Sequence, residues 1–221
     1  MTEPTVDTGA EAGQAVYTPR VLKIYDLLVH GVSNPWVWRC PTPRLVDLYE
    51  RCVSARHLDV GVGTGYFLDR CRFPVEQPRV VLMDLNDHCL QTAAERIRRY
   101  QPTTVHCDIL EPIPEGVGTF DSIGLMYVLH CLPGTIEEKA RVFDHLNALL
   151  EPGGCLFGAT LLSQGIRRGL PARYLMSVYN RKQVFTNEGD TLDGLRSALE
   201  ARFESVEIET AGCAALFQVR N

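Results

Sequence analysis

A glycine-rich stretch, HLDVGVGTGYFL, constrains the fold of this chain more than any other feature of its sequence. Glycine stands at Gly61, Gly63 and Gly65, directly after a short apolar run. Glycine at every second position destabilises the interior of a strand or helix, but it suits a backbone that bends sharply and lets a ligand come close. Asp59 precedes these glycines, and a second acid, Asp84, ends the next apolar run, VVLMD. The stretch therefore predicts a strand, a ligand-binding turn and the start of a helix.

The spacing of the glycines distinguishes two kinds of nucleotide site. The dinucleotide fingerprint G-x-G-x-x-G needs a third glycine that permits close packing of helix and strand. Counted from Gly61, that glycine would fall at position 66, which is Tyr66. The pattern here is D-V-G-V-G-T-G, which resembles the first motif of the class I S-adenosylmethionine (SAM)-dependent methyltransferases. A glycine-rich turn without a ligand is the alternative, and the acid at Asp84 weighs against it.

Four further segments resemble motifs of the same family, in the family's order. VLMDLND resembles the second motif, whose acid receives both ribose hydroxyls in the family, and this role transfers to Asp84. Leu85 would lie against the adenine, and Asp108-Ile109 resembles the pair that contacts the adenine amino group and ring face. FDSIGLMYVLHCLPG and LEPGG resemble the motifs of the fourth strand and of the turn before the fifth. The resemblance covers residues 55–160 well and residues 190–221 in architecture only.

The resemblance implies SAM as the cofactor and S-adenosylhomocysteine (SAH) as its product. It implies that the cofactor contacts a set of residues from all the matched motifs: Asp59, Gly61, Gly63, Thr64, Gly65, Asp84, Leu85, Asp108, Ile109 and Met126.

Two motifs of related enzymes are missing from the chain. DNA and glutamine N-methyltransferases carry Asn-Pro-Pro-Tyr after the fourth strand, where this chain has Leu-Met-Tyr-Val. This difference argues against amino methylation of a nucleobase by that motif. The lysine and paired acids of metal-dependent catechol-type enzymes are not evident either, so we predict no metal.

Apolar runs alternate with amphipathic segments along residues 56–160. This rhythm predicts right-handed βαβ crossovers and an α/β fold with one doubly wound sheet, seven-stranded and mostly parallel, of the Rossmann-like methyltransferase type. Two closing apolar runs, at 205–210 and 214–219, predict a terminal pair of strands, and the resemblance implies that the last strand inserts antiparallel. Residues 135–138 match a capping box that opens a helix, and residues 151–154 predict a turn before the fifth strand.

Two segments interrupt this alternation. Residues 1–15 have no periodicity and are predicted to be disordered or a loose arm, so that residues 16–221 form a single methyltransferase domain. Residues 161–187 carry five basic side chains and no clean strand pattern. We predict that this second segment is a lid or insertion over the ends of the strands.

Residues 16–52 are predicted to form a helical cover over the site. Their pattern predicts a helix that ends at Gly31, an aromatic loop at residues 33–40 and a second helix that begins at Thr42.

Composition and charge limit the class of partner. Hydrophobic residues make up 45% and charged residues 22% of the chain, as in an ordinary soluble globular protein. The net charge of −5 argues against nucleic acid as the main partner. No stretch approaches the length of a membrane span, no signal-peptide pattern is evident, and the eight scattered cysteines match neither a zinc site nor a secreted disulfide framework. We therefore expect a cytoplasmic monomer or homodimer that acts on a small molecule.

Methyl transfer from a sulfonium needs little acid–base help, because alignment and desolvation supply most of the acceleration. A base is needed only where the acceptor is a protonated oxygen or nitrogen. His130, just after the fourth strand, is the candidate base and a candidate substrate contact. Alternatively, this histidine caps the turn or packs between its neighbours Leu129 and Leu132.

Aromatic residues near the N-terminus and after the fourth strand are candidate walls of the acceptor site, because aromatic rings hold flat acceptors and attract a methyl sulfonium. They are Tyr17, Tyr25, Trp36, Trp38 and Tyr127. For each one taken alone, packing in the core is the alternative.

The predicted activity is transfer of a methyl group to oxygen or nitrogen of a small acceptor, of the aromatic or heteroaromatic kind found among secondary metabolites. Three alternatives remain: a SAM-binding protein that assists a cyclisation or isomerisation without methyl transfer, a non-catalytic partner subunit, and a nicotinamide oxidoreductase, which Tyr66 disfavours.

Overall fold

A computed structural model of the protein describes residues 26–221. The predicted arm at residues 1–15, the start of the first predicted helix, Tyr17 and Tyr25 lie outside the described residues. The seven strands within the described range form one sheet in the order β3-β2-β1-β4-β5-β7-β6. Their bounds are β1 Arg56–Val60, β2 Arg79–Asp84, β3 Thr103–His106, β4 Phe120–Met126, β5 Leu150–Leu161, β6 Ser205–Ala211 and β7 Ala214–Arg220.

The direction of the strands confirms the predicted sheet. Strands β1 to β5 pair in parallel, whereas β7 lies antiparallel between β5 and β6. The central strands β1, β2 and β4 are buried almost throughout, because helices cover both faces of a parallel sheet. The outer strands β3 and β6 have exposed positions, as edge strands do.

Helices pack on both faces of the sheet and bury two apolar clusters. The helices are α1 Thr42–Cys52, α2 Tyr66–Arg70, α3 Asp87–Arg96, α4 Ile136–Lys139, α5 Arg141–Asn147, α6 Leu170–Arg181 and α7 Leu192–Glu200. Side chains of α1, α3 and α6, such as Leu45, Ala93 and Met176, belong to one cluster. Side chains of α5 and α7, such as Phe143 and Leu195, belong to the other. Each helix therefore buries one apolar face against the sheet.

The predicted helix end at Gly31 and the predicted loop at residues 33–40 are wrong. A π-helix runs through both, from Leu27 to Trp38, and ends where Arg39 adopts a left-handed conformation. Contacts distant in sequence hold it: the Asn34 amide donates to Thr42 Oγ1 at 3.1 Å, and Thr42 Oγ1 donates to the His30 carbonyl at 2.7 Å. A pattern of 3.6 residues per turn does not predict a π-helix, because the hydrogen bonds of a π-helix join residues five apart rather than four.

Two predicted boundaries near the fifth strand also differ in part. The capping box is present, since Thr135 and Glu138 each accept a hydrogen bond from the other's backbone, but the helix is interrupted at Ala140. The predicted turn at residues 151–154 lies within β5, where the pairing with β4 is irregular. The extra residues lie between the paired positions Leu150 and Cys155, where Gly153 adopts φ +75°.

The predicted lid at residues 161–187 contains an ordered helix, α6, whose Ala172 and Met176 are buried. Part of this segment therefore belongs to the core.

Candidate active site

A cavity opens at the carboxyl ends of β1, β2 and β4, and about 1100 Å³ of unfilled space lies within and in front of it. Ligands of open α/β sheets bind at this edge. The lining includes every predicted cofactor residue except Gly65. Tyr127, Val128 and Leu132 continue the wall past the end of β4 and give the cavity an apolar extension.

The glycines after β1 serve different purposes. Gly61 has φ +69°, and a Cβ there would lie 2.2 Å from Val128 Cγ2, so a side chain would collide with the segment after β4. Gly63 has φ +52° with nothing within 4 Å of the position of a Cβ, so its bare backbone faces the cavity. At Gly65, a Cβ would lie 3.1 Å from Ala93 of α3, so this glycine allows close packing of the turn on the helix.

Asp84 lies at the end of β2 with its carboxylate half-buried at the cavity wall. The carboxylate accepts hydrogen bonds from the backbone N–H of Asn86, at 2.9 Å, and from those of Val62 and Gly63. Burial nevertheless raises the pKa of Asp84 to about 6. Its desolvation is thus incompletely offset by the protein, and a ligand that donates hydrogen bonds would stabilise the ionised form.

The neighbouring side of the cavity is held by backbone contacts. The carbonyl of Leu85 lies 2.7 Å from His106 Nε2, and that of Ile109 lies 2.9 Å from His145 Nδ1. Asp108 Oδ1 accepts a hydrogen bond from the backbone N–H of Leu110 at 2.9 Å. These contacts hold the loops after β2 and β3, and Leu85 and Ile109 of these loops both line the cavity.

His30 is a cavity residue that the sequence analysis missed. It lies on the π-helix, lines the cavity and stacks on Tyr66 with the ring centroids 3.8 Å apart. Burial lowers its pKa to about 4, so the ring is neutral at physiological pH. No pattern in the sequence indicated this position, because the register of the π-helix brings His30 rather than Trp36 to the cavity.

An ion-paired cluster joins this π-helix to the glycine turn. Thr64 Oγ1 donates to Asp26 Oδ1 at 2.6 Å, and Arg96 of α3 donates to Asp26 Oδ2 at 2.5 Å. Arg96 also donates to the carbonyl of Thr64 at 3.0 Å. The part of the predicted cover that the structure describes is therefore tied directly to the glycine turn.

The predicted acceptor residues lie in different environments in the structure. Tyr127 lines the cavity in a left-handed conformation with φ 61°. The side chain of Trp36 is 76% exposed and outside the lining, whereas Trp38 is buried and packs on Phe185.

His130 is buried and does not line the cavity. Its Nδ1 accepts a hydrogen bond from the backbone N–H of Leu161 at 3.3 Å, and its ring packs edge-on against Phe185. Burial, with Lys139 nearby, lowers its pKa to about 3. His130 therefore packs in the core, with Leu161 and Phe185 as its partners.

The arrangement can bind a nucleoside at one end and an apolar acceptor at the other. Carboxylates at Asp84 and Asp59 stand beside the glycine turn, and the rings of Tyr66, Phe67 and Tyr127 surround the remaining space. Such a cavity aligns two ligands and excludes water.

Comparisons with known proteins agree with this geometry. Residues 58–156 match the family described as a methyltransferase domain. The chain is 39% identical to demethylluteothin O-methyltransferase of Streptomyces thioluteus over 98% of this chain and 94% of the relative. It is 38% identical to the physcion biosynthesis cluster O-methyltransferase of Aspergillus chevalieri over 96% of each chain.

The fold is shared with a solved structure of much lower sequence identity. The DhpI–SAH complex superposes with a TM-score of 0.66 at 15% identity, over 98% of each chain. The sequence matches, the sheet order and the cavity at its carboxyl edge together show that the chain belongs to the SAM-dependent methyltransferases of the Rossmann-like, small-molecule type.

Proposed function

We propose that this methyltransferase transfers the methyl group of SAM to a hydroxyl oxygen of a small aromatic or heteroaromatic secondary metabolite. The observation that carries the proposal is one cavity whose lining includes both the half-buried carboxylate of Asp84 and the apolar residues beside Tyr127. Support for oxygen comes from the names of the two relatives, which are O-methyltransferases over nearly the whole length of the chain. No observation favours a SAM-assisted isomerisation or a non-catalytic subunit.

The described residues fit the cofactor. Asp84 would accept hydrogen bonds from the ribose hydroxyls, a role that suits a half-buried carboxylate whose pKa is raised to about 6. Leu85 and Ile109 would hold the adenine between them, and Asp108 would stand at its edge. The bare backbone at Gly63 and the carboxylate of Asp59 would face the methionine portion, with Met126 beneath.

The chain's own residues contribute mainly position and desolvation. Bound SAM supplies an electrophilic methyl group on a good leaving group, so the reaction needs a nucleophile held in line with it. Tyr66, Phe67 and Tyr127 would orient a flat acceptor and keep water out of the cavity. We further propose that residues 16–52 and 161–187 cover the site, since the π-helix contributes His30 to the cavity wall and joins the glycine turn through Asp26.

We assign no strong general base to the described cavity. His130 lies outside the lining, and the pKa of His30 is lowered to about 4, so neither ring suits the removal of a proton from a weakly acidic hydroxyl. The acceptor proposed here therefore carries a hydroxyl that ionises readily, such as a phenol or enol with electron-withdrawing neighbours.

The proposal also covers the partners and the compartment. All eight cysteines lie in the described range and are unpaired, which suits a reducing cytoplasm. Within residues 26–221, no helix combines the length and the apolar character that a membrane crossing requires. We propose a small-molecule enzyme without a nucleic-acid partner, either a monomer or a homodimer, and light scattering would distinguish the two states.

Two experiments test the function. Calorimetry with SAH should give binding in the micromolar range, which Asp84→Ala should abolish. Incubation with methyl-labelled SAM and a panel of phenolic, enolic and amine acceptors, followed by mass spectrometry, should give a labelled methyl ether on an acidic hydroxyl. Absence of SAH binding, or label found only on nitrogen, would contradict the proposal.

A further inference from the structure

Beneath the cavity, a line of buried polar side chains runs from the sheet to the carboxylate of Asp59. Tyr49 and His57, together with Ser122 of β4, are fully buried, and Asp59 is 6% exposed at the cavity wall. Buried polar groups are costly unless each one is hydrogen-bonded, so a continuous row of them demands an explanation.

The register of the sheet brings these groups together. His57 pairs with Ser122, and Asp59 pairs with Gly124, where β1 lies beside β4. Because side chains alternate along a strand, His57 and Asp59 point to the same face, and Tyr49 of α1 covers that face. A Cβ at Gly124 would lie 2.8 Å from Asp59 Oδ1 and 3.4 Å from His57 Cε1, so the glycine makes room for the pair.

The distances define a continuous chain of hydrogen bonds. The backbone N–H of Ser54 donates to Ser122 Oγ at 2.9 Å, and Ser122 Oγ lies 2.8 Å from His57 Nδ1. His57 Nε2 lies 2.7 Å from the Tyr49 hydroxyl, which donates to Asp59 Oδ1 at 2.9 Å.

The hydrogen bonds between His57 and Asp59 have a defined direction. An ionised carboxylate only accepts, so the single proton of Tyr49 is directed to Asp59, and the hydroxyl accepts from His57 Nε2. In a neutral ring, a proton on Nε2 leaves Nδ1 as an acceptor for the proton of Ser122. The Ser54 hydroxyl also lies 2.8 Å from Ser122 Oγ, and it donates its own proton to the carbonyl of Arg56 at 3.0 Å. Burial, with Asp59 nearby, raises the pKa of Tyr49 well above its ordinary value, so the hydroxyl stays a donor.

We propose that Ser122, His57 and Tyr49 form a one-directional hydrogen-bond chain that holds the Asp59 carboxylate in place for the cofactor. Tyr49 and His57 are then positioning residues of the methyl-transfer site, although neither lines the cavity. The inference rests on the proposed role of Asp59 in binding the positively charged end of the cofactor. Aligned donors polarise one another, so the chain fixes the carboxylate more firmly than an isolated tyrosine would.

The test is a double-mutant cycle on SAH binding, measured by calorimetry on the full chain. Tyr49→Phe keeps the ring packed on Phe67 and Phe157 and removes only the donor. Tyr49→Phe should weaken SAH binding about tenfold, because the hydrogen bond that it removes is made to a charged carboxylate. In an Asp59→Ala background, the same substitution should change binding less than twofold, because the carboxylate on which it acts is gone. The matched control is Tyr100→Phe, at a tyrosine that packs on Phe73 outside the cavity and should bind SAH as the wild type does.

A second variant tests the Ser122 end of the hydrogen-bond chain. It also provides a test if Tyr49→Phe does not fold. Ser122→Ala removes the donor to His57 and should weaken SAH binding threefold or more, whereas Ser163→Ala, at another buried serine away from the cavity, should not. An equal effect of Tyr49→Phe with and without Asp59 would overturn the inference, as would wild-type binding in Ser122→Ala. Failure of the wild type itself to bind SAH would instead count against the proposed function.

Discussion

Asp84 is the residue at which binding and stability should oppose each other most clearly. A pKa that rises from 3.8 to about 6 corresponds to about 3 kcal/mol of preference for the neutral acid. Because the carboxylate is half-buried and faces a solvent-accessible cavity, screening reduces the effect to about 1–2 kcal/mol. In the cofactor-free protein, the ionised carboxylate is therefore destabilising at neutral pH.

The sign of this effect follows from proton linkage. The folded protein holds a proton on Asp84 between pH 4 and pH 6 that the unfolded chain has released, so stability falls as pH rises through this window. Asp84→Asn replaces the carboxylate with a neutral isostere of the protonated acid. We expect it to stabilise the cofactor-free protein by about 1–2 kcal/mol at pH 7.5, which raises Tm by roughly 3–6 °C for a chain of this size.

Differential scanning calorimetry at pH 7.5 and pH 4.5 would measure both parts of the prediction. The stabilisation by Asp84→Asn should be fully present at pH 7.5 and clearly smaller at pH 4.5, which lies inside the window where the folded carboxyl is protonated and the unfolded one is partly ionised. Asp47→Asn makes the same chemical change on the exposed face of α1 and should leave Tm unchanged at both values. SAH binding by Asp84→Asn should fall by more than a hundredfold at pH 7.5. A variant less stable than the wild type at pH 7.5, or a stabilisation that does not depend on pH, would refute the reasoning.

Three other substitutions test the packing around the site, each by urea denaturation. Gly61→Ala should cost about 2–4 kcal/mol of unfolding free energy, because its Cβ would lie 2.2 Å from Val128 Cγ2 at a positive φ; a cost below 1 kcal/mol would contradict this. Lys139→Met should cost about 3–5 kcal/mol, because it leaves the buried carboxylate of Asp190, now 2.8 Å from Lys139 Nζ, without its counter-ion; adding Asp190→Leu should recover much of the loss, and no recovery would count against the ion-pair explanation. Trp38→Ala should cost about 3–5 kcal/mol, since the side chain is 3% exposed, and a change within 0.5 kcal/mol would disprove its place in the core.

Much of the cofactor site could be predicted from the sequence because its parts are local. The glycine turn, the acid that ends β2 and the residues after β3 each follow directly from a strand, and parallel strands bring their carboxyl ends to one edge. Of the ten residues predicted to contact the cofactor, nine line the cavity, and the tenth, Gly65, packs on Ala93 instead. The antiparallel last strand followed from the resemblance alone.

The acceptor side could not be predicted in this way, because it depends on how separate segments pack. Trp36 and Trp38 are two residues apart in the same aromatic segment, yet one is exposed and the other buried. Both lie in the π-helix, which is held by Thr42, whose hydroxyl donates to the carbonyl of His30. The same helix brings His30 to the cavity, and a periodicity of 3.6 does not predict its register.

The sequence by itself determined the class of fold, the cofactor and the edge of the sheet at which the cavity opens, because these depend on short motifs and on the alternation of strands with helices. Only the tertiary structure decided which side chains complete the site. His130 was turned into the core by contacts with Leu161 and Phe185, and Asp59 was joined to Tyr49 and His57 by the packing of α1 on β1. The physical reason is that hydrogen bonds and burial between segments depend on sheet register and helix packing, which no local pattern of residues encodes.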